Sequence, residues 1–273
     1  LHFMPDLPGS AAKHDVEMYK TIFDDPALKP DMVKIYPCTV IKTAELNKWH
    51  QSGKYRPYSA KQLFKALIEM KKLTPRYCRI SRLIRDIPSG EIEGGNIITN
   101  LREYLAQEMK KKGARCQCLR CREIGHQKEL RMKNYELRLF IDKYETAGGT
   151  EYFLSFEDSK RRAVFAFLRL RLPTYKNKIQ QNEDLKDLLN IGDLKNIGFI
   201  RELHTYGQLV AVGKQNKKAS QHKGMGKKLV KEAERIAKKN GFKKLAVISG
   251  VGVRGYYRKL GYKKCGTYMV KSL

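Results

Sequence analysis

A glycine-containing loop followed by an amphipathic segment constrains this chain more than any other stretch. Gln221 opens the loop, Gly224 and Gly226 lie within it, and residues 227–239 come next. Glycine has no side chain, so backbone N–H groups here can approach an anion closely. A following helix directs the positive end of its dipole to the same place. The pattern predicts a pyrophosphate-binding loop, although a Q-x-x-G-x-G string alone also fits an ordinary glycine turn before a helix.

The segments around the loop predict its structural context. Apolar residues recur at helical spacing after it, which indicates one buried helix face: Leu229, Val230, Ala233, Ile236 and Ala237. Residues 245–249 predict a buried strand, 254–259 a last helix and 268–270 a closing strand. Before the loop, strands are expected at 135–144, 152–156, 163–172 and 198–206. This order of meander, phosphate loop, helix, strand, helix and strand favours the cofactor-binding interpretation.

The first half of the chain predicts a different layout. Strands at 32–38 and 77–84 alternate with helices at 15–23, 59–72 and 100–112, and Ser59 is a candidate N-cap. Such alternation is typical of a parallel α/β layout, including barrel-like forms. Chemistry in these layouts lies at the carboxyl ends of strands, here Asp6, Tyr36 and Arg85. The alternative is that each is an ordinary loop residue whose polar groups only form hydrogen bonds with the backbone.

The charge of the chain points to a polyanionic partner. Its 273 residues include 56 basic and 28 acidic residues, for a net charge of +28. Basic and aromatic residues alternate around Trp49, Lys54 and Arg56, which predicts RNA contact, with a solvated charged face as the alternative. A membrane surface is the second candidate partner, but no stretch approaches the roughly 20 apolar residues of a membrane-spanning helix.

Three of the six cysteines, Cys116, Cys118 and Cys121, fall within six residues. Thiols this close together predict a structural zinc site, and free thiols are the alternative. The fourth ligand stays open among His126, Cys38, Cys78 and water. The spacing is not the Cys-x-x-x-Cys-x-x-Cys of radical S-adenosylmethionine clusters. This cysteine usage predicts a reducing compartment, the cytoplasm.

The combination of motifs along the chain resembles a known family. The motifs, in order, are Pro5-Asp6-Leu7-Pro8-Gly9, Lys34-Ile35-Tyr36-Pro37, Arg85-Asp86-Ile87-Pro88, Arg201-Glu202-Leu203-His204, the loop from Gln221, Ile248-Ser249-Gly250-Val251-Gly252 and Tyr256-Tyr257-Arg258-Lys259. They resemble the Elongator catalytic acetyltransferase family, of the archaeal or bacterial type. The resemblance implies an α/β chain: the C-terminal part of a radical S-adenosylmethionine (β/α) partial barrel, then a GCN5-related acetyltransferase domain. The expected boundaries are 1–112, a zinc linker at 113–134, and 135–273.

The resemblance also implies sites and cofactors. The cofactor acetyl-CoA would be bound by Glu202, Leu203, His204, Thr205, Gln221, Gly224, Met225, Gly226, Lys227 and Tyr257. Tyr257, Tyr256 and His204 are the candidate catalytic residues, and one of the two tyrosines is expected to pack in the core. S-adenosylmethionine and a 4Fe-4S cluster would serve the full-length enzyme, whose cluster cysteines this chain lacks. We therefore expect the chain to lack the first half of the radical domain.

The implied function is tRNA-dependent turnover of acetyl-CoA in carboxymethylation of wobble uridine at C5, with the anticodon stem-loop as partner. A second copy or Elongator-type subunits are further candidate partners. Two other functions fit the motifs. One is conventional acetylation of protein lysines, which the net charge of +28 disfavours for basic peptides. The other is a non-catalytic RNA-binding scaffold that holds acetyl-CoA as a structural ligand.

Overall fold

The computed structural model describes residues 1–127, 136–174, 196–206 and 224–273. Contacts divide the chain into two compact units, Leu1–Arg122 and Glu123–Leu273. The division falls inside the stretch expected as a linker. Among the described residues, none of the helices is both long and apolar enough to cross a membrane.

The first unit is built from short strands and longer helices. Its elements are β1 (His2–Phe3), α1 (Ala12–Asp24), β2 (Met32–Ile35), β3 (Thr39–Ile41), α2 (Glu45–Gln51), α3 (Ala60–Leu73), β4 (Arg79–Arg82), β5 (Ile92–Gly95), α4 (Leu101–Lys111) and α5 (Leu119–Arg122). Strands β1, β2 and β4 pair in parallel in that order, while β3 and β5 form a separate antiparallel pair. Helices α1 and α3 supply the crossovers that parallel neighbours require. The α/β prediction for this half is confirmed.

Local sequence explains where α3 begins. Ser59 is its N-cap, with a capping box in which Ser59 Oγ accepts from the Gln62 N–H and the Gln62 side chain accepts from the Ser59 N–H. Ser59 is thus the N-cap that the sequence predicted, and the reciprocal bond from Gln62 satisfies a second donor at the start of the helix. The helix then buries Leu63, Leu67 and Met70, which are spaced three and four residues apart.

The second unit is one mixed sheet with two helices among its described residues. Its elements are β6 (Leu137–Thr146), β7 (Gly149–Asp158), β8 (Val164–Pro173), β9 (Ile197–Thr205), α6 (Met225–Lys239), β10 (Lys244–Ile248), α7 (Arg254–Lys259), β11 (Lys263–Cys265) and β12 (Tyr268–Ser272). The strand order is β11-β12-β10-β9-β8-β7-β6. Strands β9 and β10 pair in parallel, and every other neighbouring pair among these strands is antiparallel.

Helix α6 packs its predicted stripe against this sheet. Leu229, Val230, Ala233, Ile236 and Ala237 are all buried in one core cluster that includes the facing side chains of β7, β8 and β10. Burying an aliphatic side chain of the size of Leu or Val contributes roughly 1.5–3 kcal/mol. The stripe therefore fixes which face of α6 meets the sheet and, with it, where the amino end of the helix lies.

Candidate functional site

The parallel pairing of β9 with β10 ends near the middle of β9. Their parallel register ends at the pair Ile200 and Val247, although β9 continues as far as Thr205. On its other edge, β9 places Glu202 opposite Arg169 and Ile200 opposite Leu170, so Arg201 is an additional residue. A bulge of this kind bends a strand and increases its twist. The bulge lies directly after the last β9–β10 pair, and we refer to the region beyond that pair, where β9 continues without pairing to β10, as the cleft.

The amino end of α6 lies at this cleft. Gly224 adopts the left-handed conformation at φ 92°, and Met225 and Gly226 are buried in the first turn. A Cβ added to Gly226 would lie 2.9 Å from Tyr256 Oη and 3.6 Å from Thr205 Cγ2. The end of β9, the first turn of α6 and helix α7 therefore meet at one point. The first N–H groups of a helix lack intrahelical acceptors, so they are suited to bind an anion here.

The two adjacent tyrosines have different surroundings. Tyr257 is 5 % exposed, belongs to the core beneath α6, and packs edge-on against Tyr262 with ring centroids 5.7 Å apart. Burial, and secondarily the neighbouring Tyr256, raises its pKa to about 12. Tyr256 is 38 % exposed and places its hydroxyl beside Gly226; burial also raises its pKa. Both hydroxyls are therefore protonated at neutral pH, and Tyr256 is the one placed at the convergence point.

The four predicted residues of β9 lie on two faces of the strand. Leu203 packs against the core beneath α6, and Thr205 approaches Gly226. Side chains alternate along a strand, so Glu202 and His204 point to the opposite face. There Glu202 accepts a 2.8 Å hydrogen bond from Arg169 Nε, and the His204 ring stacks on Phe167 with centroids 5.9 Å apart. A side-chain role for His204 at the cleft stays a prediction.

Two of the predicted cofactor residues remain, Lys227 and Gln221. Lys227 is exposed in the first turn of α6, where its charge faces solvent. Gln221 lies outside the described residues. The structure thus brings together Thr205, Gly226 and Tyr256 from three separate elements.

The three crowded cysteines form a second candidate site in the first unit. The Sγ atoms of Cys116, Cys118 and Cys121 all lie within 4.8 Å of one another. Zinc–sulfur bonds of about 2.3 Å in a tetrahedral site place sulfurs about 3.8 Å apart, so this arrangement fits a zinc ion. Cys118 is buried and its two partners are partly buried. Three closely grouped thiols are the donor set that zinc prefers.

Cations surround these thiols. Lys71, only 1 % exposed, places Nζ 4.0 Å from Cys121 Sγ, and an Arg102 guanidinium nitrogen lies 3.9 Å from the same sulfur. Hydrogen bonds from Cys116 and Cys121 hold the pKa of Cys118 well below its usual range, while hydrogen bonding with Cys118 raises the pKa of Cys116. The environment therefore favours a thiolate at Cys118, whereas the pKa of Cys121, like that of Cys116, is raised, so metal binding would have to displace protons from these two thiols.

The fourth ligand of this group stays open. Cys38 packs in a different cluster with Val40 and Tyr55, and Cys78 is buried outside the group of three. His126 belongs to the second unit.

A buried carboxylate network lies at the carboxyl end of β1. Asp6 is 1 % exposed, adopts φ 68°, and accepts from the Tyr58 N–H at 3.0 Å through both carboxylate oxygens. Its own N–H donates to Asp15 Oδ2, which also accepts from the Tyr58 hydroxyl. Burial raises the pKa of Asp6 to about 6, although the bond from the Tyr58 N–H opposes the shift. The sequence placed Asp6 at a strand end but gave no signal of its partners.

The ends of β2 and β4 border a small pocket. Arg85 lines it together with Pro37, Thr39 and Asn96, and Tyr36 lies at the end of β2 with its ring edge-on to His2. The sequence predicted chemistry at these strand ends; the structure places Tyr36 and Arg85 there, and a functional role for them stays a prediction.

Two family models match the chain. A radical S-adenosylmethionine C-terminal domain model matches residues 30–111, and an acetyltransferase (GNAT) domain model matches residues 193–272. The first match lies in the α/β unit, and the second covers β9, α6 and β10. These matches confirm the predicted fold class of the two halves.

Individual relatives match the whole chain. A tRNA uridine(34) acetyltransferase of Methanocaldococcus infernus is 45 % identical over 100 % of this chain and 50 % of the relative. Elongator complex protein 3 of Homo sapiens is 39 % identical over 100 % of this chain and 48 % of the relative. The solved structure of the Methanocaldococcus infernus Elp3 with an N-terminal deletion superposes with a TM-score of 0.84 at 42 % identity, over 100 % of this chain and 62 % of that one.

The chain therefore spans about half the length of the curated relatives it matches. Every described element, from the parallel strands to the cleft at α6, lies within the matched region. Over its whole length the chain is homologous to proteins named tRNA uridine(34) acetyltransferase and Elongator complex protein 3, and it carries the radical S-adenosylmethionine C-terminal and GNAT domains.

Proposed function

We propose that this protein binds acetyl-CoA and tRNA and releases the acetyl unit when tRNA is bound, as part of the modification of wobble uridine at C5. The observation that carries the proposal is the meeting of Thr205, Gly226 and Tyr256 at the amino end of α6. The GNAT match covers this region, and the names of the relatives supply the tRNA substrate. The net charge of +28 suits a polyanionic substrate.

Each part of the cleft has a role in this proposal. The N–H groups of the first turn of α6 bind the cofactor diphosphate, aided by the helix dipole. The stretch of β9 beyond the bulge at Arg201 offers strand backbone to the amide groups of the cofactor arm. Glycine at position 226 keeps the space between the α6 backbone and the Tyr256 hydroxyl open for the cofactor, because a Cβ there would lie 2.9 Å from that hydroxyl.

Tyr256 acts as the general acid in the proposed turnover. Water adds to the thioester carbonyl and loses a proton to solvent, the carbon–sulfur bond breaks, and the tyrosine hydroxyl gives its proton to the departing thiolate. Acetate and free coenzyme A leave, and solvent returns a proton to the tyrosine. Burial raises the pKa of Tyr256, so the hydroxyl carries its proton at neutral pH. Tyr257 supports Tyr256 from the core, with ring centroids 5.2 Å apart.

The radical step is proposed for the longer family proteins, and no part of it is assigned to these residues. Among the described residues, the one close group of cysteines has the spacing Cys116-x-Cys118-x-x-Cys121, which does not fit the cluster motif expected for S-adenosylmethionine chemistry. We propose zinc for this group instead, held by its three thiols. The need to keep three thiols reduced favours the cytoplasm as the location.

The decisive measurement is acetyl-CoA turnover, followed as free thiol release, with and without tRNA. We expect tRNA to stimulate release, and Tyr256→Phe to lower the stimulated rate about a hundredfold because proton donation typically contributes that much. Tyr257→Phe is the matched control and should retain most of the rate, since phenylalanine fills the same core space. A lysine peptide in place of tRNA tests the conventional acetyltransferase alternative. Turnover that ignores tRNA but acetylates the peptide would contradict the proposal.

A further inference from the structure

The chain has a single tryptophan, and its ring faces solvent. Trp49 lies in the last turn of α2 and is 47 % exposed. Throughout the first unit, all of which the structure describes, no aromatic ring stacks on this indole and no cation lies over it. A large amphipathic ring exposed in this way is suited to contact a partner.

The backbone beneath the ring is held in place from several sides. Leu46, three residues earlier in α2, packs on the cluster of Cys38, Val40 and Tyr55. The Trp49 carbonyl accepts from the Tyr55 N–H at 3.1 Å, and the buried Tyr55 donates its hydroxyl to the Asp6 carbonyl at 2.6 Å. The backbone that carries the indole is therefore held in one position, which lowers the entropic cost of stacking a partner group on the ring.

Two cations accompany the ring. Lys54 and Arg56 flank Tyr55 on the turn that folds back onto α2, and both are exposed. Within the fully described first unit, neither forms an ion pair with an acidic side chain. Lys48, by contrast, already pairs with Glu45 at 2.8 Å on the surface. The surface around the indole thus carries positive charge that no acidic side chain of the first unit neutralises.

We propose that Trp49, Lys54 and Arg56 form a platform on which an unpaired RNA base stacks while the cations contact the phosphates beside it. The proposal rests on the proposed RNA-binding function and deepens it, by assigning a single-stranded loop to this surface. A flat π-face beside free cations is the combination that binds single strands, because every base offers a face to stack. A paired duplex keeps its base faces covered and so gains only the phosphate contacts.

The lone tryptophan makes the test direct, because all indole emission reports on Trp49. We expect a single-stranded anticodon-loop RNA to quench this emission on binding, and the corresponding fully paired duplex to leave it nearly unchanged. In a fluorescence anisotropy assay with labelled RNA, Trp49→Ala should weaken binding of the single strand about tenfold or more, and Trp49→Phe should recover part of that loss. Arg56→Ala should weaken both RNAs and reduce the salt dependence of binding.

Lys48→Ala is the matched control, since this cation is already paired with Glu45, and it should change the affinity less than twofold. Single-strand binding with unchanged emission and unchanged affinity in Trp49→Ala would overturn the platform while leaving RNA binding intact. Absence of binding by either RNA would remove the proposed function itself. An indole that iodide cannot quench in the free protein, or one quenched equally by an acidic peptide, would overturn the assignment in favour of another occupant.

Discussion

Replacing Gly226 with alanine tests the central geometry of the cleft. The added methyl would lie 2.9 Å from Tyr256 Oη, where ordinary contact begins near 3.4 Å, so the hydroxyl must move by about half an ångström. Tyr256 is 38 % exposed and has room to yield. Alanine also gains up to about 1 kcal/mol of helix propensity over glycine, against an overpacking cost of about 1–3 kcal/mol. These two contributions leave a net destabilisation of about 0 to 3 kcal/mol, and the room available to Tyr256 favours the lower end of that range.

Cofactor affinity should respond differently from stability in this variant. The methyl intrudes where the diphosphate approaches the α6 backbone, and losing one charge-assisted hydrogen bond costs about 1.5–3 kcal/mol. We expect acetyl-CoA affinity, measured by calorimetry, to fall by tenfold or more. The free energy of unfolding in urea gives the stability of the same protein.

A matched control and a double variant sharpen this test. Gly255→Ala places a methyl in α7 with no atom within 4 Å, so it should leave the affinity unchanged. Combining Gly226→Ala with Tyr256→Phe removes the oxygen that the methyl meets. The effects of the two changes on the free energy of unfolding should therefore couple by about 1 kcal/mol. If Gly226→Ala bound acetyl-CoA as tightly as the parent, or showed no coupling to Tyr256, the cleft at α6 would not be the cofactor site.

Two further predictions concern the first unit. Burial raises the pKa of Asp6 from 3.8 to about 6, so folding takes up a proton between these two pH values. The free energy of unfolding should therefore be highest below pH 4 and fall by about 3 kcal/mol as the pH rises through 6. Asp6→Asn, whose side chain tolerates φ 68° and still accepts from the Tyr58 N–H, should flatten this part of a urea-unfolding pH profile; an unaltered profile would contradict the assignment. For the thiol group, metal analysis of the purified protein should find about one zinc per chain, lost in Cys118→Ser and kept in the control Cys265→Ser, whose thiol lies outside the group. Parent protein purified without chelators that contains no zinc would refute the metal assignment.

Much of the fold was predictable because its signals are local. The apolar stripe of α6 and the capping box of α3 depend on residues three and four positions apart, which a helix brings together whatever surrounds it. The long strands β8 and β9 were predicted within a residue or two of their ends. Strands β3 and β5 and the short helix α2 were missed, since three to seven residues carry too little periodicity to predict an element.

The sites depend on contacts that local patterns do not contain. The sequence by itself determined the glycine loop, the thiol group and the excess of positive charge, because each is a matter of residue type and short spacing. Only the tertiary structure decided that Tyr256 rather than Tyr257 faces Gly226, that the bulge at Arg201 coincides with the end of the β9–β10 pairing, and that Asp6 is enclosed by Tyr58 and Asp15. Adjacent helical residues point about 100° apart, and which of them meets a distant element is set by how whole helices and strands pack.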